Sequence, residues 1–428
     1  MNDKRETAIL GGGLAGLSTA FFMKNKCEIF EANKELGGLC RTFEKDGFVY
    51  DIGGHILFSK NKKIMSEIIG WLGTNVQKKI RRNQIWYKDR FVKYPFENGL
   101  NTLDRKEIFD CLIGYLENKN RKPNNLEEWC KYIFGDAIAE KYLIPYNEKI
   151  WKHNLKDMSL HWVARIPKPP LKDIIKSAIG IKTEGYKHQL YFYYPKTGGI
   201  SSLISSLANK IKKIEVGFRI TEIKKKSNTW EISDGSRTKQ FDRIISSIPV
   251  FDLINCLGGV PSEVKRALVR LNYNSLIIVM IGIKNEALNN KSAIYLPDPK
   301  ILPHRVCYMN YFSSNNAPKG CSHIIAEITT RPDDALIKTN DNIIVEKVSS
   351  QLQSICGFSK NEIISTDVKK IRYAYVIYDQ DYLKNTKIVF NYLNSLGIYC
   401  TGRFGTFQYI NMDTCVEMSK RLVQSLTD

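Results

Sequence analysis

The chain has 428 residues, 43% hydrophobic and 25% charged, a balance that buries a large core in two or three domains. The net charge of +20 comes from lysines scattered in short clusters such as Lys60 to Lys63 and Lys224 to Lys226. That scatter argues against a nucleic-acid stripe and leaves an anionic small molecule or loose contact with a membrane surface. Ten cysteines without a C-x-x-C pair and six histidines without ligand spacing argue against a disulfide scaffold and a metal site, and they fit a reducing, cytoplasmic setting. The apolar run Leu276 to Ile283 has 8 residues, well short of the roughly 18 of a membrane span.

The chain opens on a strand, Thr7 to Leu10, then Gly11-Gly12-Gly13-Leu-Ala-Gly16, then an apolar helical pattern to Met23. A second apolar run from Cys27 ends at Glu31, 18 residues after Gly13. This is a dinucleotide-binding βαβ unit: Gly11 permits the tight turn, Gly13 lets the backbone approach a pyrophosphate, and Gly16 allows close helix–strand packing. Glu31 stands where a carboxylate accepts from a ribose. Asp3, Glu6 and the three consecutive glycines argue against a signal peptide. Gly37-Gly38-Leu-Cys-Arg41 and Gly53-Gly54-His55 follow at once, which suggests backbone packed against a large flat ligand.

Periodicity then predicts a helix over Lys60 to Gly73 and a hairpin over Ile85 to Phe96. A mainly helical stretch follows from Leu103 to about Leu160, closed by Pro167, Pro169 and Pro170. Strands resume at Tyr191 to Tyr194, Arg219 to Lys224, Thr229 to Ser233 and Phe241 to Pro249, with a helix after Gly198-Gly199. Leu276 to Ile283, Arg305 to Phe312 and His323 to Thr330 read as a separate antiparallel sheet, and Asn342 to Ile355 as a helix. Ile398 to Gly405 and a helix from Met412 repeat the strand–glycine–helix order, so the C-terminus is expected to fold back into the nucleotide domain. The expected fold class is α/β. A discontinuous Rossmann-like nucleotide domain (1–84, 198–270, 390–428) accompanies a mainly helical domain (85–190) and an antiparallel-sheet domain (271–389).

Several stretches concentrate aromatic, Arg and Asn residues: Tyr94-Pro95-Phe96, Pro145-Tyr146-Asn147 to Trp151, Trp162 with Arg165, Ile294-Tyr295, Pro303-His304-Arg305, Tyr373-Ala-Tyr375, and Gly402-Arg403-Phe-Gly to Tyr409-Ile-Asn411-Met-Asp413. Taken one at a time, each reads as core packing or a solvated charge. In order, they resemble the flavin-dependent UDP-galactopyranose mutase family, over almost the whole length and with eukaryotic-type features. The Glu31 to Arg41 element and the Gly402 to Asp413 segment are shared with the wider FAD-dependent amine-oxidase superfamily.

That resemblance implies FAD, active in its reduced form, with NAD(P)H or another reductant as electron source. It places Gly11, Gly13, Gly16, Glu31, Gly38, Arg41, Gly54, His55, Gly402, Arg403 and Asp413 around the cofactor. Tyr94 and Phe96 would contact the base. Arg165 and Arg305 would clamp a diphosphate, with Tyr295, Tyr375 and Tyr409 donating hydroxyl hydrogen bonds. Asn147, Trp151, Asn209 and Asn411 would line the sugar and nucleotide pocket. The implied reaction interconverts UDP-galactopyranose and UDP-galactofuranose through a reduced-flavin N5–sugar adduct, for cell-surface glycan synthesis. An FAD-dependent oxidase or desaturase is the alternative, and a homo-oligomer is compatible with either.

Three departures are specific. The Trp162 to Arg165 spacing is one residue shorter than the eukaryotic-type pattern, and the Tyr409 to Asp413 segment is shorter too. Glu97 stands where relatives often have Gln. Either it turns to solvent or to Lys93, or it reads the base; an acceptor-only carboxylate would then favour a guanosine-linked sugar.

Overall fold

The computed structural model describes residues 6–24, 26–184, 190–288 and 291–426. A five-stranded parallel sheet forms the nucleotide-binding half, in the order Tyr399–Cys400, Arg243–Ser246, Thr7–Leu10, Cys27–Glu31, Ile214–Val216. Ile9 stands in register with both Ile245 and Ile29, so the first strand is central and buried on both faces, as its Ala8-Ile9-Leu10 run requires. Helices Leu14–Phe22 and Met412–Ser425 pack on each other beside this sheet, so the C-terminus does return to the nucleotide half. A three-stranded antiparallel ribbon, Glu222–Lys226, Thr229–Ser233 and Thr238–Phe241, attaches to it.

The second sheet has seven strands, ordered Ile363–Val376, Tyr273–Ile283, Ser322–Thr330, Arg305–Tyr308, Ala293–Tyr295, Asn83–Tyr87, Arg90–Lys93. Its period-two pattern explains the run from Leu276. Ile277, Val279 and Ile281 pack toward helix Asp341–Cys356, while Leu276, Ile278 and Met280 join the core shared with the helical segment. Both faces are covered, so the run from Leu276 to Ile283 is apolar throughout.

The structure departs from the sequence reading at several places. The hairpin Asn83–Lys93 belongs to the seven-stranded sheet, through parallel pairing of Asn83 to Ile85 with Ala293 to Tyr295, and not to the helical segment. The strand expected over Arg305 to Phe312 stops at Tyr308, and Met309–Phe312 is a helical turn. Strand Ile363–Val376 and helix Tyr382–Leu396 were not anticipated. The strand carries lysines and an Asp where one flank is wet, and a register shift near Asn274 breaks its alternation. Helices Arg105–Leu116, Leu126–Ile138, Ile144–Trp151 and Leu171–Ala178 make up the helical segment.

Candidate active site

A cavity of about 1020 Å³ runs from Glu31 and Phe218 at one end to Arg305 and Glu327 at the other. At the first end the glycine turn does what its spacing requires. Gly11 adopts φ +102, and a Cβ on Gly16 would stand 2.0 Å from the Gly11 carbonyl oxygen, so only glycine lets the helix approach the turn. Helix Leu14–Phe22 starts at Gly13 with no side-chain cap and no acid in its first turn, which leaves its amides and positive end for an anion. Glu31 accepts from the Gly12 amide at 2.8 Å and from the Asn33 amide and side chain at 2.9 and 2.7 Å. These bonds orient the carboxylate and leave lone pairs for sugar hydroxyls. Arg41 donates from Nε to the Gly38 carbonyl at 3.0 Å. Gly402, Arg403, Asn411 and Asp413 enter the cavity from the C-terminal segment.

The other end is one row across the seven-stranded sheet. Tyr295 pairs with Arg305, and Arg305 with Glu327, so three polar side chains stand side by side on one face. Arg305 donates from Nε to Glu327 Oε1 at 2.8 Å and from Nη2 to Oε2 at 2.6 Å. Glu327 Oε1 also accepts from the Gly54 amide at 3.1 Å, which ties the Gly53-Gly54-His55 loop to the sheet. Burial pushes the Glu327 carboxyl up, but the Arg305 guanidinium outweighs it and holds the pKa below its ordinary value. Tyr375 stacks on Tyr409 at 5.7 Å, and its hydroxyl stands 3.5 Å from Glu327 Oε2. Burial and that carboxylate keep the phenol neutral, a donor. Arg403 lies over the Tyr409 ring at 4.1 Å and donates to the Ala374 carbonyl at 2.6 Å. His55 lines the cavity beside them; burial pushes its pKa down to about 4, so the imidazole is neutral, and its Nδ1 has no partner among the described residues.

Some expected residues stand elsewhere. Phe96 is fully buried, stacked on Tyr142 at 5.3 Å, and does not line the cavity. Tyr94 stacks on Tyr295 at 4.7 Å and backs it instead of lining the cavity. Glu97 neither turns to solvent nor pairs with Lys93, whose ammonium goes to Glu184 and the Thr183 carbonyl, and it does not line the cavity. Its carboxyl is buried, and desolvation pushes the pKa up to about 8. Asn147 and Trp151 lie behind the wall: Trp151 Nε1 donates to Asn147 Oδ1 at 3.0 Å, and the indole packs edge-on against Trp162 and Tyr409. Asn209 is exposed at the far end of helix Ser201–Ala208, away from the cavity. Arg165 ends the segment Leu160–Arg165, and its side chain lies outside the described residues. Glu327 and Cys307 went unread; the signal for Glu327 was a lone acid inside the apolar strand Ser322–Thr330.

A family model described as flavin containing amine oxidoreductase matches residues 14–383. The chain belongs to this family. Among curated relatives, the coproporphyrinogen III oxidase of Bacillus subtilis (strain 168) is 20% identical, over 98% of this chain and 97% of the relative. The L-amino-acid oxidase of Sistrurus catenatus edwardsii is 23% identical, over 87% and 77%. Among solved structures, reduced UDP-galactopyranose mutase superposes with TM-score 0.90 at 24% identity, covering 99% of this chain and 95% of that one. Putrescine oxidase bound to putrescine gives TM-score 0.67 at 15% identity, covering 99% of each. The mixed α/β fold is that of the FAD-dependent amine oxidase superfamily, and the cofactor is FAD. The residues present fit it. Gly13 and Gly38 pack backbone against backbone beside the cavity, a Cβ on Gly13 reaching Gly38 Cα at 3.8 Å and one on Gly38 reaching Gly13 Cα at 3.4 Å. Two helix N-termini, at Gly13 and Asn411, meet the cavity, and His55 lines it. Among the described residues no helix is long and apolar enough to cross a membrane.

Proposed function

We propose that this flavoenzyme rearranges a nucleoside-diphosphate sugar, most simply UDP-galactopyranose to UDP-galactofuranose, without net oxidation. The observation that supports the reading is the polar wall at the inner end of the cavity: Arg305, Arg403, Tyr295, Tyr375 and Tyr409 around the His55 loop. Guanidinium and phenol donors on a rigid sheet suit phosphate oxygens and sugar hydroxyls. When bound, reduced FAD would supply a nucleophilic nitrogen, with no net change in oxidation state over the cycle. The chain's own residues would do the rest. Arg305 retains its Nη1 group for a diphosphate oxygen while Nε and Nη2 stay on Glu327. Tyr295, Tyr375 and Tyr409 would hold the departing nucleotide near the sugar, so that it recombines within the cavity. His55, neutral across the physiological range, would hydrogen-bond the cofactor without changing the site's charge. Arg165 remains the proposed second arginine.

Two observations favour a second reading, an FAD-dependent oxidase: Glu327 neutralises Arg305, and the two curated relatives named above are oxidases. Anaerobic incubation of reduced protein with a panel of nucleotide sugars, with product analysis, tests the first reading. Furanose product without peroxide is the expected result. Stoichiometric hydrogen peroxide from an oxidised substrate in air, with no sugar rearrangement, would establish the second.

A further inference from the structure

We propose that Glu327 sets how strongly this cavity binds an anion, by holding Arg305 in a bidentate pair from behind while fixing the Gly53-Gly54-His55 loop. The inference rests on the reading above only in taking the ligand to carry phosphate. Register dictates the pair: Arg305 and Glu327 are direct neighbours on antiparallel strands, and both side chains stand on the cavity face. The Arg305 side chain is 26% exposed and that of Glu327 0%, so a ligand meets the guanidinium first and the carboxylate stands behind it.

Apart from Arg305 and the Gly54 amide, the groups around Glu327 do little to offset its charge. His304 Nε2 stands 3.9 Å from Oε2, but burial pushes its pKa down to about 3 and the ring is neutral. Cys307 Sγ lies 3.4 Å from Oε1, and burial pushes its thiol up, so it too is neutral. Tyr375 is a neutral phenol, and Arg403 is turned to the Ala374 carbonyl and the Tyr409 ring. Arg305 therefore supplies the guanidinium paired with Glu327. An incoming phosphate meets an arginine whose positive charge is largely cancelled. The same carboxylate receives the Gly54 amide, and a Cβ on Gly53 would stand 3.3 Å from its Oε2. Loop position and anion affinity are thus set by one side chain.

The test uses the FAD-loaded protein and inorganic pyrophosphate, with UDP in parallel, by titration calorimetry. Glu327→Gln keeps the shape and a hydrogen-bonding oxygen but removes the charge. It is expected to bind both probes about tenfold more tightly, the effect of one charge lost a few ångströms from the ligand in a partly buried site. The midpoint potential of the bound flavin is expected to rise as well, since a nearby negative charge opposes reduction. Equal or weaker pyrophosphate binding at wild-type flavin content would overturn the proposal. Should Glu327→Gln lose flavin, Arg305→Met and Arg305→Met/Glu327→Met are compared; the apolar pair removes both charges without leaving one buried alone. The double variant is expected to bind pyrophosphate more tightly than Arg305→Met, and equal affinities would overturn the proposal. Tighter pyrophosphate binding with no turnover of any nucleotide sugar would sink the mutase reading and support the role of Glu327.

Discussion

Replacing Glu97 with Gln separates a buried acid from a ligand-reading one. Glu97 is 1% exposed, its Oε2 has no partner among the described residues, and desolvation lifts its pKa from 4.5 to about 8. The folded state therefore keeps a proton that the unfolded chain gives up near pH 4.5. Since the native state binds more protons, stability is full below the unfolded pKa and is lost as pH rises toward 8. At 1.36 kcal/mol per unit, the loss amounts to at most about 4–5 kcal/mol, and about half that once the site relaxes. The amide of Glu97→Gln carries no such liability. The variant should match the wild type at pH 4.5 and exceed it by about 2–4 kcal/mol at pH 9, measured by urea unfolding of the flavin-loaded proteins. A stability difference that does not change between those pH values would refute the reasoning. So would a variant less stable at pH 9.

Gly16→Ala should abolish flavin retention, because its Cβ would fall 2.0 Å from the Gly11 carbonyl oxygen; flavin absorbance per protein checks this, and a fully loaded variant would contradict the geometry. Arg305→Ala should weaken UDP binding about ten- to a hundred-fold, the worth of one charge-assisted bond, and calorimetry reads it. His55 should add no limb to the pH profile of kcat/KM between pH 5.5 and 8, because its folded pKa of about 4 keeps it neutral there; a limb near 6.5 that vanishes in His55→Gln would count against this. Trp151→Phe should raise KM more than it lowers kcat, since the lost bond to Asn147 loosens the wall behind Trp162 and Tyr409 without touching the cavity itself.

The nucleotide half was legible because its constraints are local. Gly11 to Gly16 and Glu31 fix a turn, a helix start and a carboxylate within one βαβ unit, and each glycine has a steric reason visible in the fold. Strands buried on both faces, such as Tyr273–Ile283, announced themselves as apolar runs. The inner site was legible only in part, because it is assembled by pairing between distant strands. Arg305 stood out, but its partner Glu327 lies 22 residues on, and antiparallel register alone brings them together. Phe96, Asn147 and Trp151 were singled out by residue type, and burial in the helical core turned them into supports of the wall. Strand Ile363–Val376 hid because a half-wet edge strand with a register shift has no clean period.

The most direct test is anaerobic turnover of UDP-galactofuranose by fully reduced and fully oxidised protein from one preparation. UDP-galactopyranose should form at a rate proportional to enzyme with the reduced form alone, with no peroxide on readmission of air beyond that from reoxidising the flavin. Equal rates from the oxidised protein, or no galactopyranose from the reduced protein, would contradict the account.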